Sequence, residues 1–143
     1  MLTALAAILL GAIVLLMRKG TRRHRWLGRS YLFAMLALNA TALMDYELFG
    51  RFGPFHWMAL ISLATVVAAY VAARRRAPGW KWRHANFMAG SYVGLMAAAT
   101  AEVASRVPAW SFAWSVIISS AVVIVAGLWL MKKMLPRTLS GRP

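Results

Sequence analysis

The sequence contains no cysteine and very few acidic residues. Its 143 residues include three Asp or Glu against seventeen Lys or Arg, which gives a formal net charge of +14. The lack of cysteine excludes disulfides, thiolate metal sites and cysteine nucleophiles. The sequence also lacks a nucleophile elbow, a zinc-protease helix and a glycine-rich phosphate loop. Any chemistry on this chain therefore depends on its histidines, its few carboxylates and its arginines.

Charged residues of both signs make up only 14% of the chain, whereas a soluble domain usually carries about 25%. Hydrophobic residues make up 62%, and the mean hydropathy is +0.63. The apolar runs are apolar on all sides, which favours helices over strands in a membrane. We predict an all-α integral membrane bundle in which residues 1–143 form one domain. Its five predicted transmembrane helices span about residues 2–17, 31–49, 56–73, 85–103 and 112–131.

The basic residues alternate between the ends of these runs. Cytoplasmic loops of membrane proteins are enriched in Lys and Arg, so this alternation predicts an outside N-terminus and a cytoplasmic C-terminus. The predicted location is the bacterial inner membrane, where the basic loops contact anionic lipid headgroups. Nucleic acid is not expected as a partner, because the charges flank apolar spans and the tryptophans lie at span edges. The basic connections contain Arg18, Lys19, Arg22, Arg23, Arg25 and Arg29, then Arg74, Arg75, Arg76, Lys81 and Arg83, and finally Lys132, Lys133, Arg137 and Arg142.

Two of the three histidines occur in similar contexts. Residues 20–31 read GTRRHRWLGRSY and residues 81–92 read KWRHANFMAGSY, so that each histidine follows an arginine and precedes a Ser-Tyr pair. The distance from histidine to serine differs by one residue between the two stretches. The similarity indicates either a parallel duplication of helix pairs or a chance match in a biased composition.

These motifs also carry a resemblance to a known family. His24 with Gly28-Arg29 and Tyr31, then Phe55-His56-Trp57, then Arg83-His84 with Met88 and Ser91-Tyr92 resemble an uncharacterised family of predicted bacterial membrane proteins. The resemblance covers approximately residues 11 to 131. It implies a multi-pass inner-membrane protein and brings no established activity, so that any chemistry must be argued from the residues.

The inner, basic end of the predicted bundle offers the first candidate site. Two imidazoles from different helices can ligate haem iron, so we predict a haem b site at His24 and His84. Arg29 is the predicted partner of the propionates, and Tyr31 and Tyr92 are predicted to line the site. A haem in this position suits electron exchange with a quinone or another redox partner. Alternatively, both histidines are interfacial residues inside basic loops, outside the predicted spans, that contact anionic lipid headgroups.

The outer end offers the second candidate site. A histidine and two carboxylates are a plausible ligand set for zinc, iron or manganese, so Asp45, His56 and Glu102 are predicted metal ligands. Two alternatives use the same residues. Glu102 can pair with Arg106 four residues later, within a structural ion-pair network, or the cluster can relay protons.

Three classes of function therefore stay open: a small haem electron-transfer protein, a metal- or proton-handling protein, and a non-catalytic subunit or scaffold. A homo-oligomer is compatible with each. The first predicts a haem spectrum and the second predicts bound metal or pH-dependent transport. The non-catalytic class predicts no haem spectrum, no bound metal and no transport. It predicts instead that the protein needs a partner protein.

Overall fold

The computed structural model describes residues 2–44, 52, 54–106 and 111–140, and this part of the chain contains five helices and no strand. The helices are α1 (Leu2–Leu16), α2 (Arg22–Met44), α3 (Pro54–Arg75), α4 (Trp80–Ala104) and α5 (Phe112–Ser140). The all-α prediction is therefore confirmed for the described residues.

Four of the five helices are long and apolar enough to cross a membrane. They are the spans Arg22–Met44, His56–Arg75, Trp80–Ala104 and Phe112–Pro136. Helix α1 is apolar but has only fifteen residues. At ~1.5 Å per residue it extends roughly 22 Å, less than the ~30 Å of a hydrocarbon layer. The chain is a membrane protein with four helices of spanning length and one shorter apolar helix.

Several helix boundaries differ from the predicted spans, most of all at the basic ends. Helix α2 begins nine residues before the predicted residue 31, and α4 begins five residues before residue 85. The predicted edges followed hydropathy, but arginine and lysine are good helix formers and continue the helices past the apolar region. Helix α5 likewise continues past residue 131, where the Lys133 ammonium lies 4.9 Å from the Trp129 ring centre.

The first four helices are arranged in a ring. Helix α1 packs against α2 and α4, and α3 also packs against α2 and α4, whereas α5 packs against α4 alone. Helices α2 and α4 therefore occupy opposite corners of a four-helix bundle. Such a bundle places side chains of facing helices in a shared core, where cofactor sites are commonly built.

The core of the ring consists of a few apolar side chains from all four helices. Its fully buried members are Ala7, Tyr31, Met35, Val66 and Leu95. Many large apolar side chains lie on the outside instead, for example Phe33, Ile61 and Val125, each more than half exposed. An apolar exterior of this kind suits lipid rather than water.

Glycine allows the closest approach of α1 to the ring. A Cβ atom at Gly11 would overlap the Tyr92 ring and would lie 2.9 Å from Cε2 of Tyr31. Real Cβ atoms do not make such contacts, so only glycine lets α1 pack directly against both tyrosine rings. Gly127 has the same role between α5 and α4, where a Cβ atom would lie 2.5 Å from Cγ1 of Val93.

The turn between α1 and α2 is held by side-chain caps. The Lys19 ammonium donates to the carbonyl oxygens of Val14 (3.0 Å) and Leu15, which satisfies free acceptors at the end of α1. Thr21 caps α2, because its hydroxyl oxygen accepts a hydrogen bond of 3.0 Å from the backbone N–H of His24. These caps fix the start of α2, and with it the position of His24.

Candidate functional site

The histidines of the two similar stretches lie inside helices rather than in loops. His24 is the third residue of α2, and His84 is the fifth residue of α4. Both are half-buried. The expectation that they are loop residues outside the helices is therefore wrong, because the helices extend into the basic region. Both histidines lie at the same, basic end of the bundle.

Helices α2 and α4 face each other through side chains and not through backbone contact. Within the described residues, no Cα atom of α2 lies within 8 Å of a Cα atom of α4. The gap is bridged by a buried hydrogen bond of 3.0 Å between the hydroxyl groups of Tyr31 and Ser91. The similar sequence stretches suggest that Tyr31 and Tyr92 are equivalent, but the residue opposite Tyr31 is Ser91.

The direction of this hydrogen bond follows from its neighbour. The Ser91 hydroxyl lies 2.9 Å from the carbonyl oxygen of Met88, and a carbonyl oxygen can only accept. The single hydroxyl hydrogen of Ser91 is thus used, and its lone pairs receive the hydrogen of Tyr31. The result is a buried chain of two hydrogen bonds, from Tyr31 to Ser91 and from Ser91 to Met88.

The bond between Tyr31 and Ser91 relates the two histidines to each other. His24 precedes Tyr31 by seven residues (31 − 24), and His84 precedes Ser91 by seven residues (91 − 84). Seven residues of an α-helix make almost two full turns, about 700° of rotation, so the two positions differ by only roughly 20° around the axis. They are ~10 Å apart along the axis. Because α2 and α4 run in the same direction, both histidines lie the same distance from the bond. Around its own helix, each histidine also lies within roughly 20° of Tyr31 or Ser91.

His84 is oriented by a hydrogen bond to a neighbouring helix. Its Nδ1 atom lies 2.9 Å from the backbone carbonyl oxygen of Ala69 in α3, a buried residue. Because the carbonyl can only accept, Nδ1 carries the proton, and the neutral imidazole has its lone pair on Nε2. Metal-ligating histidines typically have this arrangement, in which one ring nitrogen donates to a backbone carbonyl and the other is left as the ligand.

The predicted tyrosines lie about two helical turns from the histidines, and the predicted arginine does not face the histidines. Tyr31 and Tyr92 line a small crevice of about 10 Å³, which has room for about one water molecule. Arg29 is exposed and lies five residues from His24, or roughly 140° around α2. Its role as a propionate partner stays a prediction that this geometry does not favour. The other residues lining the crevice are Gly11, Val14, Leu15 and Met88.

The outer end does not assemble the predicted metal ligands among the described residues. Asp45 lies outside the described residues. Glu102 is exposed and forms an ion pair of 2.5 Å with Arg106, which confirms the predicted i,i+4 interaction. The described part of the chain contains no group of three His, Asp or Glu that could hold a metal ion. His56 is 2% exposed, with its ring centre 4.7 Å from that of Phe52.

Two groups of the candidate site were not identified from the sequence. Ser91 belongs to the Ser-Tyr repeat, which gives no sign of its role. The interval of seven residues from His84 to Ser91, equal to that from His24 to Tyr31, could have pointed to it. The Ala69 carbonyl oxygen had no sequence signal at all, because any residue supplies a backbone acceptor. The basic end therefore contains two histidines, each seven residues before one member of a buried Tyr31–Ser91 hydrogen bond, and one of them is oriented by a backbone carbonyl.

Comparison with known proteins places the chain in a family but does not supply an activity. No curated protein and no solved structure matches it. One family model does match, and it covers residues 1–139, nearly the whole chain. On the strength of this match, and of the apolar helices described above, the chain belongs to the DUF2306 family, which is described as predicted membrane proteins.

Proposed function

We propose that this protein is a small electron-transfer protein, in which His24 of α2 and His84 of α4 would hold one haem b. The observation that carries the proposal is the hydrogen bond from Nδ1 of His84 to the Ala69 carbonyl oxygen, which leaves Nε2 as the ligating atom. The bound haem would supply one-electron transfer. The protein would supply the ligands, the apolar surroundings and the positive charge near the propionates.

The residues at the basic end fit such a group in three respects. The two imidazoles come from opposite corners of the ring, and the backbones of α2 and α4 stay more than 8 Å apart. The nearby side chains Met88 and Tyr92 are apolar or aromatic, as an enclosed macrocycle requires. Arginines of the basic connections supply positive charge for carboxylate groups. The crevice beside Tyr31 is far too small for a macrocycle, so a bound haem would lie between the two histidines and not in this crevice.

The proposal includes a topology and a location. The five helices cross the bacterial inner membrane with the N-terminus outside, and the basic connections lie in the cytoplasm beside anionic lipid headgroups. The capped turn between α1 and α2 supports this arrangement, because it places the end of the short helix α1 level with the start of α2. A haem at the cytoplasmic end is positioned to exchange electrons with a quinone or with a soluble redox partner.

One feature of the outer end favours a second candidate function. His56 is almost fully buried near the start of α3, and buried ionisable groups in membrane spans commonly have a functional role. With Asp45 it would handle a metal ion or protons. Glu102 is a weaker member of this set, because it is exposed and already paired with Arg106.

The test is an optical spectrum and an elemental analysis of protein purified gently from its native membrane. The proposal predicts a Soret band, sharp α and β bands after reduction, and about one iron per chain. Stoichiometric zinc or manganese without these bands would instead support the outer site. Folded protein with neither haem nor metal would contradict both candidates and favour a non-catalytic subunit.

A further inference from the structure

We infer that Tyr31 and Ser91 are positioning residues, whose hydrogen bond holds α2 and α4 in the register that brings His24 and His84 to the same depth. The inference rests on the proposed function for its redox consequence, but not for its structural part. Neither residue is proposed as a ligand.

Helices α2 and α4 meet through side chains of the shared core, and the Tyr31–Ser91 bond is a directional polar contact between them. No backbone approach within 8 Å exists between α2 and α4 in the described residues, since α1 and α3 separate them. The Tyr31–Ser91 bond is a buried side-chain hydrogen bond of 3.0 Å between them. Helices in lipid lack a hydrophobic driving force for mutual packing, so polar contacts have a larger share in setting their relative position.

Both members of the Tyr31–Ser91 hydrogen bond are buried and held by neighbouring groups. Tyr31 is 1% exposed and Ser91 is 3% exposed, so the bond is shielded from bulk water. The Tyr31 ring is wedged against Gly11 of α1, and the Ser91 hydroxyl is held by the Met88 carbonyl oxygen. Both ends of the bond are therefore fixed, and a sliding movement of α2 along α4 would break it.

The sequence intervals from His24 to Tyr31 and from His84 to Ser91 are equal. Because each histidine lies seven residues before its member of the pair, a shift of the pair by one residue would move one imidazole by ~1.5 Å along the axis and ~100° around it. After such a shift His24 and His84 would no longer lie at the same depth, as two ligands of one iron would need to. The register set by the pair thus places the two histidines at the same depth, which a shared bis-histidine site would need.

The structural part can be tested without haem, because the chain has no cysteine. Nitroxide labels are attached to Arg25→Cys in α2 and Lys81→Cys in α4, two exposed positions beside the histidines, and their separation is measured by pulsed electron paramagnetic resonance. We expect one narrow distance distribution. Tyr31→Phe and Ser91→Ala should each broaden or shift it, and the double variant should resemble the single variants.

Matched controls separate this effect from a general loss of packing. Ser119→Ala removes a serine hydroxyl that bonds only within α5, and Tyr70→Phe removes a hydroxyl from a partly exposed tyrosine of α3. Both should leave the distance distribution unchanged. An unchanged distribution in folded Tyr31→Phe and Ser91→Ala, with the far-ultraviolet circular dichroism of the parent protein, would overturn the inference.

A second readout applies to the haem-loaded protein. Tyr31→Phe and Ser91→Ala should retain haem but shift its midpoint potential and the g values of the oxidised iron, because the bond would no longer hold the two histidines at the same depth. Unshifted values in both variants would also overturn the inference. Absence of haem in the parent protein would overturn the proposed function alone, and the label distances would still decide the positioning role.

Discussion

At the residue scale, the bridge between Tyr31 and Ser91 predicts an asymmetry between two single substitutions. Ser91→Ala leaves the buried Tyr31 hydroxyl without an acceptor, which costs about 1–3 kcal/mol. Tyr31→Phe leaves Ser91 still bonded to the Met88 carbonyl oxygen, so we expect a smaller loss of about 0.6–1.7 kcal/mol. Adding Tyr31→Phe to Ser91→Ala should recover part of the loss. Unfolding in detergent, monitored by circular dichroism, measures the stability of the two single variants and the double variant. Equal losses in the single variants that add up in the double variant would contradict the hydrogen bond from Tyr31 to Ser91.

A second prediction at this scale concerns Glu102. Its ion pair with Arg106 is solvent-accessible, with side-chain exposures of 59% and 65%, and exposed i,i+4 pairs contribute only about 0.3–0.5 kcal/mol. Glu102→Gln should therefore leave both the unfolding midpoint and the content of any bound metal nearly unchanged. A loss of bound metal on this substitution would show that the outer cluster of Asp45, His56 and Glu102 exists after all.

At the element scale, the position of α1 depends on Gly11. Gly11→Ala places a methyl group in the Tyr92 ring, and overpacking of this kind costs about 1–3 kcal/mol. Gly94→Ala in α4 is the matched control, since a Cβ atom there meets no atom within 4 Å. It should be neutral or stabilising, because alanine is the better helix former by about 1 kcal/mol. Thermal unfolding of the two variants in the same detergent measures the difference, and equal midpoints would contradict the close packing of α1.

The helices themselves were largely predictable from the sequence, and their edges were not. Runs of apolar residues predicted five helices in the right order, because the lipid environment requires long apolar segments. Hydropathy could not show that Arg22 to Ser30 and Trp80 to His84 are helical, since helix formation does not stop where the apolar surface does. For the same reason the histidines were assigned to loops.

The candidate site was predictable only in part. The two similar stretches drew attention to His24 and His84, whose role as ligands stays a prediction, but no sequence pattern specifies which face of α2 meets which face of α4. That pairing depends on Gly11, which admits two tyrosine rings, and on the backbone of Ala69, which any residue could supply. The outer cluster relied on side-chain types alone, and the geometry instead directs Glu102 towards Arg106.

At the scale of the whole molecule, the basic residues gather at one end of the bundle. The turns between α1 and α2 and between α3 and α4 both belong to that end, as do the last residues of α5. With this end in the cytoplasm, Ala77→Cys should be protected from a membrane-impermeant maleimide in intact cells. Ser111→Cys, before α5, should be labelled. Both positions are exposed, and the reverse labelling pattern would contradict the proposed topology.

The central claim is that one haem is shared by the two histidines at this basic end. The most direct measurement is the haem content per chain of the parent protein and of His24→Ala, His84→Ala and His56→Ala, each purified in the same way. The account predicts about one haem in the parent protein and in His56→Ala, whose histidine lies in α3 at the opposite end. It predicts that the haem content per chain falls at least tenfold in His24→Ala and in His84→Ala. Haem retained by either His24→Ala or His84→Ala, or no haem in the parent protein, would contradict it.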